Sequence, residues 1–299
     1  MSIQYFSLNN MQLSRFCFGC EALGGVDWGD NIDLKEIERS ILFAIDVGVN
    51  FFDTADVYGL GLSETRLSNI LAEKRKDVVI ATKGGVSWKY IENGRAKTSI
   101  NCSPDYIRTA VENSLKRLRL DNIPVYYIHW PKEGVDVALI ADALYKLQCE
   151  GKINTIGCSN FSANQLERAL EFAPIKLLQK PVNILLEQPS DEIVKVCRKN
   201  GVGIVGYNVL ASGLLTGKFD INTTFPDTDR RSRLPQFVGD GLRKSLSKLN
   251  LLRENAYSVG QSLTHYSIKG ALEEPEVNAT IIGVKNVNQL KENLMPFYE

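Results

Sequence analysis

The chain has 299 residues, 35 Lys+Arg against 35 Asp+Glu, 44% hydrophobic and 23% charged residues. That composition is ordinary for a folded globular protein, and a zero net charge excludes nucleic acid and acidic membranes as expected partners. No apolar run reaches the ~18 residues a membrane helix needs, and no secretory signal opens at Met1-Ser2-Ile3-Gln4, so a cytoplasmic protein is expected. The six cysteines have no framework spacing and read as buried thiols of a reducing compartment. Cys17-Phe18-Gly19-Cys20 has CxxC form but lies in an apolar, strand-like run with no helix after it, against a redox or metal role. With His129 and His265 the only histidines, no metal centre is expected.

Residues 5–13 read as a hairpin turning at Asn9-Asn10. Short β-branched or aromatic runs then alternate with amphipathic helices. Strands are expected at 15–18, 49–52, 78–81, 125–128, 155–158, 176–178, 203–206 and 279–282. Each is a continuous apolar run, as strands buried on both faces require. Ser63 is the expected cap of a helix carrying Leu67, Ile70 and Leu71. Ser103-Pro104 opens a second helix, and Ser162-Ala163-Asn164-Gln165 has capping-box form. Eight strand–helix units without a change in composition predict a single-domain (β/α)8 TIM barrel over 1–299, with a short N-terminal β-hairpin. A doubly wound sheet is the alternative, weakened because no GxGxxG follows the first strand. The connections 84–102 and about 217–241 are too long for plain βα turns. Both follow strand C-termini, where a barrel keeps its active site, and are expected to be lids.

Four polar residues fall at or just beyond consecutive strand ends: Asp53, Tyr58, Lys83 and His129. Free tyrosine, with a pKa of about 10, seldom releases its proton near neutrality. An adjacent ammonium stabilises the phenolate and is expected to lower that pKa. An aspartate keeps the lysine charged despite burial, and the histidine can hydrogen-bond the same substrate oxygen. The set is a proton donor aimed at a developing alkoxide, which carbonyl reduction requires.

The segments Phe51-Phe52-Asp53-Thr54-Ala55-Asp56-Val57-Tyr58-Gly59, Ala81-Thr82-Lys83-Gly84, Ile128-His129-Trp130-Pro131, Gly157-Cys158-Ser159-Asn160-Phe161 and the run from Tyr207 to Lys218 resemble an aldo-keto reductase in order and spacing. The resemblance covers nearly the whole chain. It implies an NAD(P)(H)-dependent barrel in which Asp53, Tyr58, Lys83 and His129 are the catalytic tetrad, with Tyr58 as general acid or base. Asp56 matches no family role and is expected to be structural. By the same resemblance Ser159, Asn160 and Gln179 hold the nicotinamide carboxamide, and Tyr207 stacks on its ring. Leu210, Ser212, Gly213 and Leu214 belong to the turn that meets the pyrophosphate. Glu292 and Asn293 contact adenine, and Lys285 pairs with a 2′-phosphate. Gln289 stands where an arginine often binds that phosphate, and Ile282 replaces the usual proline before Gly283. NADP(H) is favoured, with NAD(H) open; Arg230, Arg231 and Arg233 are further candidates for a phosphate.

Trp28, Trp88 and Trp130 follow strand ends and are expected to line a substrate pocket. The chain stops six residues past Asn293, at 299, so the long C-terminal loop of some family branches is expected to be absent. Specificity then rests on the two long loops and residues 22–31. The expected activity is NADPH-dependent reduction of an aldehyde or ketone, possible substrates including sugar-like carbonyls. The alternatives are an NAD(P)-dependent sugar or aldose dehydrogenase and, from another class, a cofactor-binding sensor like the potassium-channel β subunits.

Overall fold

The computed structural model describes residues 2–29, 32–90, 96–186 and 188–298. Residues 30–31 and 91–95, inside two of the segments expected to shape the pocket, lie outside the described residues. The N-terminal hairpin forms as expected from β1 (Tyr5–Leu8) and β2 (Met11–Ser14), with Asn9 in the turn at φ 51°. After it come β3 (Phe16–Gly19), β4 (Phe51–Asp53) and β5 (Val79–Gly84). An antiparallel ribbon of β6 (Val86–Tyr90) and β7 (Ala96–Ile100) interrupts the series. It continues with β8 (Ile123–Ile128), β9 (Ile153–Ser159), β10 (Ile175–Pro181), β11 (Gly203–Tyr207) and β12 (Val277–Gly283). Hairpin and ribbon apart, these strands close a parallel barrel in the order β10-β11-β12-β3-β4-β5-β8-β9. The barrel, and not the doubly wound sheet, is therefore the fold.

Helices α1 (Leu34–Asp46), α2 (Leu62–Leu71), α3 (Pro104–Leu118), α4 (Val137–Cys149), α5 (Ala163–Leu170) and α6 (Asp191–Asn200) connect successive strands. After β11 come α7 (Gly239–Ser258) and α8 (Leu263–Glu273), and α9 (Val287–Leu294) follows β12. Ser103 caps α3 ahead of Pro104, and Ser162 with Gln165 makes both halves of a capping box on α5. Ser63 does not cap α2. The helix starts behind Gly61, and the buried Ser63 hydroxyl donates instead to the Cys20 carbonyl at 2.7 Å, tying α2 to the loop after β3.

Side chains on a strand alternate between two faces, and the barrel turns this alternation into an inside and an outside. Phe16, Phe18, Phe52, Ile80, Tyr126, Ile156, Leu178 and Ile204 pack outward under the helices. Cys17, Phe51, Ala81, Val125, Tyr127, Leu177, Val205 and Ala279 fill the interior, with Leu8 and Leu13 of the hairpin closing one end. Gly157 gives up its side chain here, because a Cβ would meet the Tyr127 ring at 2.3 Å. Two residues further along each strand, the same inward parity belongs to Asp53, Lys83, His129, Ser159, Gln179 and Tyr207. The barrel lining thus changes from apolar to polar at its C-terminal end.

Neither long connection is structureless. The first holds the β6–β7 ribbon. The second folds short 3₁₀ turns at Arg230–Arg233 and Pro235–Phe237 around Phe219, Phe225 and Phe237, whose rings meet edge-on at 5.3–5.7 Å. It then crosses to the loop after β3, where Asp229 bridges to Trp28 and the Arg230 amide donates to the Asp27 carbonyl at 3.0 Å.

That β3 loop is held against the Tyr58 turn by two glycines. A Cβ on Gly24 would lie 2.8 Å from the Gly59 nitrogen, and Gly59 has φ +58° with its own Cβ direction 2.3 Å from the Gly24 carbonyl oxygen. Gly59→Ala should therefore combine strained backbone with a clash and destabilise the fold by about 1–3 kcal/mol. Chemical denaturation checks this; an unchanged midpoint would contradict the packing described.

Candidate active site

The polar end of the barrel is built around one buried ion pair. Lys83 and Asp53 are each 2% exposed. The Lys83 Nζ donates to Asp53 Oδ1 at 2.5 Å and to the Thr54 carbonyl at 2.8 Å. Gln179 Nε2 donates to the second carboxylate oxygen at 2.6 Å. Burial works to lower the Lys83 pKa, but Asp53, helped by Tyr58, outweighs it and holds the ammonium above its ordinary value. Burial also pushes the Asp53 carboxyl up, against Lys83 and Gln179. The short ion pair and the amide donor on the other oxygen describe ammonium and carboxylate, as buried charges require when paired and hydrogen-bonded.

Tyr58 lies over this pair, with Lys83 Nζ 5.0 Å from its ring centroid. Lys83 lowers the phenol pKa as expected, but the net direction is upward. Burial dominates and raises it; Lys83 pulls it down but is outweighed, and Glu21 and Asp53 add to the rise. Tyr58 is thus a protonated phenol across the neutral range, and the lysine's influence is to limit the rise. The His129 ring meets Tyr58 edge-on at 5.8 Å. Burial, then the Lys83 charge, pushes His129 down to about 3, so its imidazole is neutral. Asn160 Nδ2 donates to the His129 carbonyl at 2.9 Å and fixes the end of β8.

Two cavities meet at these residues. The larger, about 760 Å³, runs from Asp53, Tyr58, Lys83 and His129 past Ser159, Asn160, Gln179, Tyr207, Leu210, Ser212 and Gly213 to Lys285, Gln289, Glu292 and Asn293. The smaller, about 420 Å³, lies between the β6–β7 ribbon and the loop after β3, and shares Glu21, Tyr58, His129 and Trp130 with the larger. The structure therefore gathers residues separated by 240 positions, Asp53 to Asn293, along one groove. Leu214 is buried in the turn after β11, whose Ser212 and Gly213 take φ 55° and 98°.

Several of these side chains are engaged with one another. Gln179 is on Asp53, and Asn160 Oδ1 accepts from the Tyr207 hydroxyl at 2.6 Å. The Gln289 amide oxygen accepts from the Lys285 backbone N–H at 2.9 Å, closing the start of α9. Lys285 Nζ donates to the Trp28 carbonyl at 3.0 Å. Arg231 is buried on Asp229, while Arg233 lies outward, donating to the Asp227 carbonyl and reaching Asp27 at 3.4 Å. Arg233 lines neither cavity.

The tryptophans divide. Trp130, 45% exposed, lines both cavities. Trp28 lines the larger one, with Arg230, Arg231 and Lys285 at 5.4–5.5 Å from its ring. Trp88 pairs with Thr98 on the ribbon and lines neither, being two residues farther out than the lining Val86. Sequence reasoning missed Glu21, which lines both cavities and pairs with Arg230 at 2.5 Å. A lone acid after a strand carries no signal until a partner 209 residues away is known.

His129 is expected to stay neutral down to about pH 3. Because its folded pKa lies below the unfolded value of 6.5, the folded state binds fewer protons in that window, and the residue withdraws stability as pH falls from 6.5 toward 3. Imidazole NMR, with His129→Asn to assign the signal, should show no His129 titration between pH 5 and 8, about the range of an ordinary histidine. A midpoint near 6.5 would contradict the half-buried, cation-facing environment.

The family model described as Aldo/keto reductase family matches residues 15–297. Aldo-keto reductase yakc [NADP(+)] of Schizosaccharomyces pombe is 32% identical over 98% of the chain and 86% of its own length. NADH-specific methylglyoxal reductase of Escherichia coli is 28% identical over 95% of the chain and 90% of its own length. The solved glycerol dehydrogenase AKR11B4 from Gluconobacter oxydans superposes with a TM-score of 0.88 at 33% identity, over 100% of this chain and 90% of that one. With its barrel and its buried Asp–Lys pair beneath a tyrosine, the chain belongs to the aldo/keto reductase family of NAD(P)H-dependent oxidoreductases acting on carbonyls.

Proposed function

We propose that the chain reduces a small aldehyde or ketone to the alcohol with NADPH, Tyr58 being the proton donor. The observation that carries this reading is the placing of Tyr58, over Lys83–Asp53, where the two cavities meet. The larger cavity suits a phosphate-bearing dinucleotide. Burial and then the charge of Arg231 lower the pKa of both Lys218 and Lys285. These crowded cations, with Arg230, favour an anion among them. Tyr207 and the Ser159–Asn160–Gln179 group would hold the nicotinamide end, Leu210 to Leu214 the pyrophosphate, and Glu292 and Asn293 the adenine. The nicotinamide, when bound, supplies the hydride.

The chain's own residues manage the proton. The substrate carbonyl oxygen lies against the Tyr58 hydroxyl and the neutral His129 imidazole, which offers one N–H to it. As negative charge develops on that oxygen, Tyr58 gives up its proton to it, and Lys83 stabilises the phenolate left behind. Asp53 keeps Lys83 cationic while this happens. The β6–β7 ribbon and Trp130 wall the smaller cavity, which would take the substrate.

A second reading, an NAD-dependent dehydrogenase running toward the carbonyl, is favoured by Gln289. Its amide is turned onto the Lys285 backbone and brings no charge to a 2′-phosphate. Titration of the protein with NADPH and NADH by fluorescence quenching separates the two readings: tighter NADPH binding is expected, and equal or tighter NADH binding would overturn the NADP assignment. Tyr58→Phe should keep cofactor affinity and lower kcat by about 10²–10⁴, the usual worth of a positioned general acid. Near-native turnover in that variant would contradict the mechanism.

A further inference from the structure

We propose that Glu21 is the specificity residue of the smaller cavity and makes it select uncharged carbonyl substrates over anionic ones. The inference rests on the carbonyl-reductase reading above and adds to it a substrate class.

The charges at this end of the barrel are divided between the two cavities. The larger is lined by five cations, Lys83, Lys218, Arg230, Arg231 and Lys285, against three acids, Glu21, Asp53 and Glu292. Among the described residues the smaller is lined by two carboxylates, Glu21 and Asp27, and by no lysine or arginine. Of these two acids only Glu21 also lines the cavity of the tetrad, so it stands where the reacting end of a substrate must enter. Its side chain is 33% exposed, held by the 2.5 Å contact to Arg230. The guanidinium lies over the Trp28 ring at 5.5 Å and lines the larger cavity, so it offsets part of the Glu21 charge from outside the smaller one. The remaining polar lining cannot offset the acids: His129 is neutral, and Thr98 and Ser99 bear no charge. Among the described residues Asp27 pairs with Arg233, at 3.4 Å with both side chains more than half exposed, where solvent screens the pair. A substrate carboxylate in this cavity would meet like charge on two sides, whereas an ester, a hydroxyl or a plain carbonyl would not. Like-charge juxtaposition of this kind discriminates by repulsion as well as by fit.

The test uses a pair that differs in charge and in one methyl group, methyl 4-formylbenzoate and 4-formylbenzoate, reduced with NADPH. The native chain should prefer the ester in kcat/KM by at least about tenfold, equivalent to about 1.4 kcal/mol of discrimination. Glu21→Gln should shrink that preference at least about fivefold, and Arg230→Gln, which removes the counter-charge, should enlarge it. Both variants are read as ratios at the same cofactor, so any effect on NADPH binding cancels, and NADPH fluorescence quenching confirms that each is folded. A native preference near one, or a ratio unchanged in Glu21→Gln, would overturn the assignment of Glu21. If Glu21→Gln does not fold, an unchanged or smaller ratio in Arg230→Gln overturns it. Failure of the native chain to reduce either aldehyde would instead overturn the reductase reading on which the proposal stands.

Discussion

A lysine ammonium buried in a barrel is unfavourable unless its charge is answered, and the active end of this molecule is arranged around that requirement. Removing such an ion from water costs several kcal/mol, on the order of what a whole domain has to spare. Asp53 and the Thr54 carbonyl meet Lys83 directly, and Gln179 meets the other side of Asp53. These groups come from β4, the residue after it, β5 and β10, so only a closed barrel brings them together. The pleat makes the inside apolar at Phe51, Ala81 and Leu177 and polar two residues later at Asp53, Lys83 and Gln179. One layer of the barrel supplies stability, and the next supplies chemistry.

The electrostatics follow from burial as much as from neighbours. Both Tyr58 and His129 are driven toward their neutral forms, one upward and one downward, by the same low-dielectric surroundings. A protonated phenol beside a neutral imidazole suits donation to a carbonyl oxygen. Lys83 stays charged because its carboxylate partner is within 2.5 Å. Outside this core, cations outnumber acids on the long cavity, while the described lining of the short one carries acids and no cation; the Glu21–Arg230 pair joins the two. The strap carrying Arg230 is anchored by its own three-phenylalanine cluster and by the bridge from Asp229 to Trp28.

Much of the scaffold was legible in the sequence. Continuous apolar runs marked the buried strands, and a polar residue at the end of several of them marked the site. Their order gave adjacency, because neighbouring strands of this barrel are mostly neighbours in the chain. What escaped was whatever depends on depth or on distant partners. Ser63 looks like a cap but is drawn inward to the Cys20 carbonyl. The segment after Lys83 looks like loop because polar Lys97, Thr98 and Ser99 alternate with nothing buried, yet they pair as a ribbon with Val86 to Tyr90. Trp28 lines the long cavity, but the three cations over its ring, Arg230, Arg231 and Lys285, could not be read from its place after a strand. The net direction of the Tyr58 pKa escapes the sequence, which shows a lysine nearby and does not show that desolvation outweighs it.

In the proposed reaction Lys83 is the buried charge that Tyr58 needs. The most direct measurement is single-turnover reduction of methyl 4-formylbenzoate by pre-bound NADPH in Lys83→Met. Hydride transfer should slow by about 10²–10⁴ while cofactor affinity is retained, since the ammonium acts on the developing phenolate and not on the bound nucleotide. A rate within a few-fold of the native chain would contradict it.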